Sequence, residues 1–248
     1  KRQTWNGVKK VFQASAPLFV FADTDIFAKA PARLTAAGVS DILGKYIALA
    51  DWKIASILMD EYYCTAVADL ETKAIRTVKD NLKEIAAGEK DACEKLMYAL
   101  ILSGLAMQMT GNSRPASGAE HHMVHLWDME VVNGHLDALH GEKVSAATML
   151  VLLEYKKLAD AIRRGACRVH AFTDGDTELL QETFGRKGIL EALEKENTPE
   201  LLDDVSTETL SGALPEILKI IDLLPAVTDM QETVSYTHLR AHETVLDL

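Results

Sequence analysis

The chain has 248 residues, 48% of them hydrophobic, which is enough to bury a core and leaves room for one large or two ordinary domains. Its 37 acidic against 26 basic residues give a formal charge of −11, which opposes binding to nucleic acid or to an anionic membrane surface. Three widely spaced cysteines, Cys64, Cys93 and Cys167, suggest neither a disulfide framework nor a thiolate zinc site.

In chain order, the opening Lys1-Arg2-Gln3-Thr4-Trp5 lacks the apolar centre of a signal peptide, and no run of about 18 apolar residues follows, so a cytoplasmic protein without membrane insertion is expected. Pro17-Leu-Phe-Val-Phe-Ala22 is a short apolar run with aromatic and β-branched members, bounded by proline and by Asp23, and reads as a buried strand. After Pro31 the pattern is helical, with helices expected near 40–60, 61–86, 90–109, 116–132, 143–163, 175–183, 187–195, 198–204, 207–221 and 227–233. Asp174 and Asp176 are candidate caps for the helix near 175–183, Thr198-Pro199 puts proline at a first helical position, and Ser206 precedes the Glu208 helix. The last stretch, Ser235 to Leu248, breaks this logic and reads as a non-native tail resembling translated sequencing adapter, which sets His238 and His242 aside.

Five of the eight histidines fall between residues 121 and 140. On a helix His121 and His125 lie one turn apart on one face, while His122 points about 100° away. His140 comes after Asn133-Gly134, a helix-ending pair, and stands at the entrance to the helix near Lys143, so a site using His121 and His140 joins two helices. Such a pair suits metal binding or proton transfer, but taken alone is more often a polar helix face or a hydrogen-bonded core pair than a ligand pair. Taken alone, Asp41 is a surface carboxylate or a charge near a helix start, Lys45 a solvated lysine, His122 a packing residue or a support behind a ligand, and His135 a solvated one. Arg114 is either a bidentate donor to a substrate phosphate or a brace for its own loop. The acidic stretch Glu191–Asp204 reads as a solvated helical face.

Ser113-Arg-Pro-Ala-Ser-Gly-Ala-Glu-His-His-Met-Val-His125 closely resembles a motif of the sn-glycerol-1-phosphate dehydrogenases, a branch of the iron-containing alcohol dehydrogenase and glycerol dehydrogenase superfamily. Ala36-Ala-Gly-Val-Ser-Asp-Ile-Leu-Gly-Lys45 with Ala50-Asp-Trp52, and His140-Gly-Glu-Lys-Val144, strengthen the likeness, which runs from about Gly7 to the region of Pro225. The resemblance implies that Asp41, His121 and His140 bind one divalent metal, zinc foremost, with nickel, iron or manganese also suited. It implies that His125 contacts substrate and helps to move a proton, and that Asp41 lies against the substrate oxygen. Ser40 stands before Asp41 where relatives often have glycine.

For the full-length parent the resemblance implies NAD(P)-linked interconversion of dihydroxyacetone phosphate and sn-glycerol 1-phosphate, a small phosphorylated polyol substrate and a possible homo-oligomer. Because the chain holds no Gly-x-Gly-x-x-Gly turn, the expected organisation is a C-terminal part: residues 1–30 as the remnant of an α/β nucleotide-binding domain, 31–234 as a mainly α, multi-helical metal- and substrate-binding domain, and 235–248 as the tail. Hydride transfer by the chain alone is not expected. The alternatives are a glycerol or other alcohol dehydrogenase of the same superfamily, a 3-dehydroquinate synthase-like enzyme, for which glutamate is characteristic where Asp41 stands, and a helical interaction module without catalysis.

Overall fold

A computed structural model describes residues 4–5, 7–9, 15–132, 134–171, 177–185, 188–198 and 204–235. Two strands of two residues each, β1 (Thr4–Trp5) and β2 (Val8–Lys9), pair antiparallel across Gly7, whose φ of +83° suits glycine. Helices follow: α1 (Thr24–Phe27), α2 (Ala32–Leu58), α3 (Thr65–Lys79), α4 (Leu82–Ala86), α5 (Lys90–Thr110), α6 (Ala119–Asp128), α7 (His140–Arg163), α8 (Thr177–Phe184), α9 (Leu190–Glu196), α10 (Thr207–Asp222) and α11 (Val227–Ser235). The fold is mainly α.

Among the described residues the helices form where the apolar period placed them, with three refinements, the first being that α2 begins at Ala32 rather than near residue 40. The stretch expected as one helix over 61–86 is two, α3 and α4, parted by a turn at Asp80 and Asn81. The helix expected near 143 begins at His140 itself, and Ser206 caps α10 by accepting from the Thr209 amide at 3.0 Å. Asp174, Asp176, Pro199, Asn133 and the sequence from 236 onward lie outside the described residues.

One expected element is overturned. Pro17–Ala22 is neither strand nor buried: Leu18, Phe19, Val20 and Phe21 are all exposed, Phe21 at 96%. A strand is held by a ladder partner, and the sheet among the described residues consists of β1 and β2 paired with each other, so these six residues have no neighbour on which to form one.

The body is organised around α2. One side of it packs Ile47 and Ala50 against Val151 and Leu152 of α7, Ile217 and Ile221 of α10 and Met230 of α11. The other packs Val39, Ile42 and Leu43 against Ala74, Ile75 and Val78 of α3 and Leu96 and Ala99 of α5. A helix with a core on two sides has little solvent face left, which is why α2 is buried through its middle and shows no clean polar stripe. The crossing of α2 with α7 is close because glycines line it: a Cβ on Gly141 would run into the Ala37 carbonyl, and one on Gly44 would lie 2.7 Å from Val144 Cγ1. Short α6 is laid over this crossing by Val124 and Trp127, which pack on Val144 and Ala147 of α7.

Candidate metal centre

Three helices deliver one ligand atom each to the crossing. Asp41 sits in the third turn of α2, His121 in the first turn of α6, and His140 at the first position of α7. The Asp41 Oδ1 atom lies 3.7 Å from His121 Nε2 and 3.6 Å from His140 Nε2, and the two Nε2 atoms are 3.3 Å apart. All three ligand atoms lie within 4.8 Å of one another.

Each ligand is held from behind. Glu120, with none of its surface exposed, accepts from His121 Nδ1 at 2.6 Å through Oε1, which turns Nε2 of that ring toward Asp41. The same Oε1 accepts from the Gly118 amide at 3.1 Å, and Asp51 Oδ2 accepts from the Ala119 amide at 2.6 Å, so two carboxylates satisfy two of the N–H groups at the start of α6. His140 is fixed through the start of α7: Glu142 accepts from the Leu139 amide at 2.7 Å and takes the Arg33 guanidinium in a two-point pair at 2.5 and 2.8 Å. Lys45, one turn after Asp41, donates to Asp41 Oδ2 at 2.8 Å and to the Asp41 carbonyl at 2.9 Å.

The charges follow from these contacts. Burial pushes the Asp41 carboxyl up, but the Lys45 ammonium and the His121 ring outweigh it and hold Asp41 well below the usual carboxylate range. Burial disfavours a charged His121, yet its hydrogen bonds to Asp41 and Glu120 carry its pKa upward, while burial leaves His140 below the ordinary value. One ionised carboxylate oxygen and two imidazole nitrogens, one with a carboxylate on its far nitrogen, make a donor set that fits a divalent metal such as zinc.

His125 stands beside this cluster, its ring centroid 6.5 Å from that of His121 and edge-on to it. Burial, then the positive charge of Lys9 and the neighbouring histidines, pushes its pKa down to about 4, so its ring is neutral near pH 7. With His122, Lys9 and Met123 it lines an open groove of about 520 Å³. Arg114 is not at this cluster's ligand atoms: its guanidinium is taken up by Glu61, with Nε at 2.8 Å from one carboxylate oxygen and a terminal nitrogen at 2.7 Å from the other. His135 is exposed, as expected.

No protein-family model matches the chain. Curated relatives do. It is 38% identical over 202 residues to a glycerol-1-phosphate dehydrogenase [NAD(P)+] of Geobacillus thermodenitrificans, covering 76% of this chain and 50% of that protein. Proteins of the same name from Halalkalibacterium halodurans, 44% identical over 155 residues (62% of this chain, 39% of the relative), and Methanosarcina mazei, 34% over 187 residues (75% and 52%), agree with it. The chain belongs to the glycerol-1-phosphate dehydrogenase family. It spans about half the length of these curated relatives.

Within this family member, two groups at the centre were misread or missed by sequence reasoning. Lys45 was expected to be solvated and is 2% exposed, its ammonium turned onto Asp41 in the buried middle of α2. Glu120 was quoted only as part of a motif. Its signal was available, since a carboxylate in the first turn of α6 sits where free N–H groups gather.

Proposed function

We propose that Asp41, His121 and His140 hold one divalent metal, zinc foremost, and that the whole protein interconverts dihydroxyacetone phosphate and sn-glycerol 1-phosphate with NAD(P). The observation that carries the reading is the convergence of Asp41 Oδ1 with two Nε2 atoms from separate helices, with Glu120 behind His121. When bound, the metal supplies Lewis acidity toward the C2 oxygen of the substrate. The chain's own residues do the rest. Glu120 holds the His121 ring, Glu142 the helix start that carries His140, Asp41 lies against the substrate oxygen, and neutral His125 accepts or returns the hydroxyl proton from the groove beside His121. Arg114, in a conformation released from Glu61, binds the substrate phosphate. The small phosphorylated polyol, a cytoplasmic setting and a homo-oligomeric parent belong to the same proposal. No helix among the described residues is long and apolar enough to cross a membrane.

Elemental analysis of the purified chain tests the site. About one equivalent of metal is expected, lost in both Asp41→Ala and His140→Ala. Full retention in either variant rejects the ligand set. The activity is proposed for the whole protein rather than these 248 residues. Assay of a full-length parent with dihydroxyacetone phosphate checks it, and turnover of an unphosphorylated polyol in preference would favour the alcohol dehydrogenase alternative.

A further inference from the structure

We infer that Lys45 is a positioning residue that confines Asp41 to a single oxygen toward the metal; the inference rests on the metal reading above. A carboxylate has two oxygens and can take an ion through both. Here Oδ2 is committed to the Lys45 ammonium at 2.8 Å, and Oδ1 is the oxygen that faces the two Nε2 atoms. The second bond, from Nζ to the Asp41 carbonyl at 2.9 Å, fixes the ammonium against rotation about its own stem. Burial of Lys45 removes the water that would compete for it.

A buried ammonium needs counter-charge, and a cation at Oδ1 would draw on the one Asp41 supplies. Glu71 on α3, 1% exposed, is a second buried carboxylate, whose pKa burial raises against the opposing charge of the Lys45 ammonium, but the ion pair Lys45 makes is with Asp41. Three single-atom ligands then leave the fourth position of a tetrahedral ion for substrate. With Lys45 gone, the carboxylate is free to turn and fill that position with its second oxygen.

Cobalt titration of the 248-residue chain and of Lys45→Met, read by visible absorption, tests this, because the intensity of the cobalt bands separates four-coordinate from more highly coordinated ions. The unaltered chain should take up about one equivalent with intense four-coordinate bands. Lys45→Met should still bind one equivalent, with weak bands and affinity lower by roughly 10–100-fold. Methionine removes the charge that opposes the effect of burial on Glu71, so Lys45→Met/Glu71→Gln is titrated alongside; native circular dichroism with the same weak bands supports the inference. Either variant with native circular dichroism, wild-type band intensity and wild-type affinity overturns it while the metal reading stands. Absence of cobalt uptake by the unaltered chain overturns the metal reading and the inference with it.

Discussion

Asp41 and Asp51 are carboxylates of the same helix, about three turns apart, both largely buried and both turned toward the junction with α6 and α7. Asp41 meets a buried ammonium and stays ionised far below the ordinary range. Asp51 meets neutral donors, the Ala119 amide and the Tyr155 hydroxyl, and burial pushes it up to about 6 from the usual 3.8, with the charge of Glu120 adding to the push. Burial alone therefore does not decide what a carboxylate becomes. A cation carried in with it keeps the charge available to an incoming metal, whereas neutral donors make a clamp, here one that ties α2 to α6 and α7, whose proton comes and goes near neutrality.

Removing either carboxylate has the largest expected effect. Asp41→Ala strands the Lys45 ammonium and should cost about 3–5 kcal/mol, with complete loss of metal. Asp51→Ala strands an amide and a hydroxyl and should cost about 1–3 kcal/mol, with metal retained. Urea unfolding of the two variants measures the difference, and equal costs would mean that Lys45 is no special partner. A smaller effect is expected at the crossing itself. Gly141→Ala drives a methyl group into the Ala37 carbonyl, a backbone atom that cannot swing aside, so it should destabilise by about 1–3 kcal/mol and weaken metal binding by moving His140 away from Asp41. Gly44→Ala meets a side chain, Val144, and should be milder. If Gly141→Ala binds metal as tightly as the unaltered chain, the close helix approach does not set the ligand geometry.

How legible these two carboxylates were differs in the same way. The helical body could be read because its apolar residues recur at helical spacing, and the cap at Ser206 because capping is local. Asp41, His121 and His140 became candidates through motif resemblance, and the structure brings those three together. Lys45, Glu71 and Asp51 were hidden because each is a charged residue on a helix, for which exposure is the ordinary expectation. Their burial depends on α2 being covered on two sides by helices distant in sequence, and no local pattern reports that. Pro17–Ala22 failed for the converse reason: its composition suits a strand, but a strand also needs a partner.

The finest test concerns the proton on Asp51. Its folded-state pKa is raised, so the folded chain holds this proton more tightly than the unfolded chain does. The resulting stability is fully present below about pH 4 and is lost as pH rises through about 6, on the order of 3 kcal/mol across that window. Asp51→Asn should remove this component, and the difference in unfolding free energy between unaltered chain and variant, measured from pH 4 to 7, isolates it from the other carboxylates. Tyr155→Phe then sharpens the assignment. The Tyr155 hydroxyl donates to Asp51 and stabilises its ionised form, so deleting it should cost about 1 kcal/mol and move the midpoint of the pH-dependent component above 6. A midpoint that stays put or falls in Tyr155→Phe would show that a group other than Asp51 titrates in this window. In that case the contrast with Asp41 would rest on charge pairing alone and not on the proton.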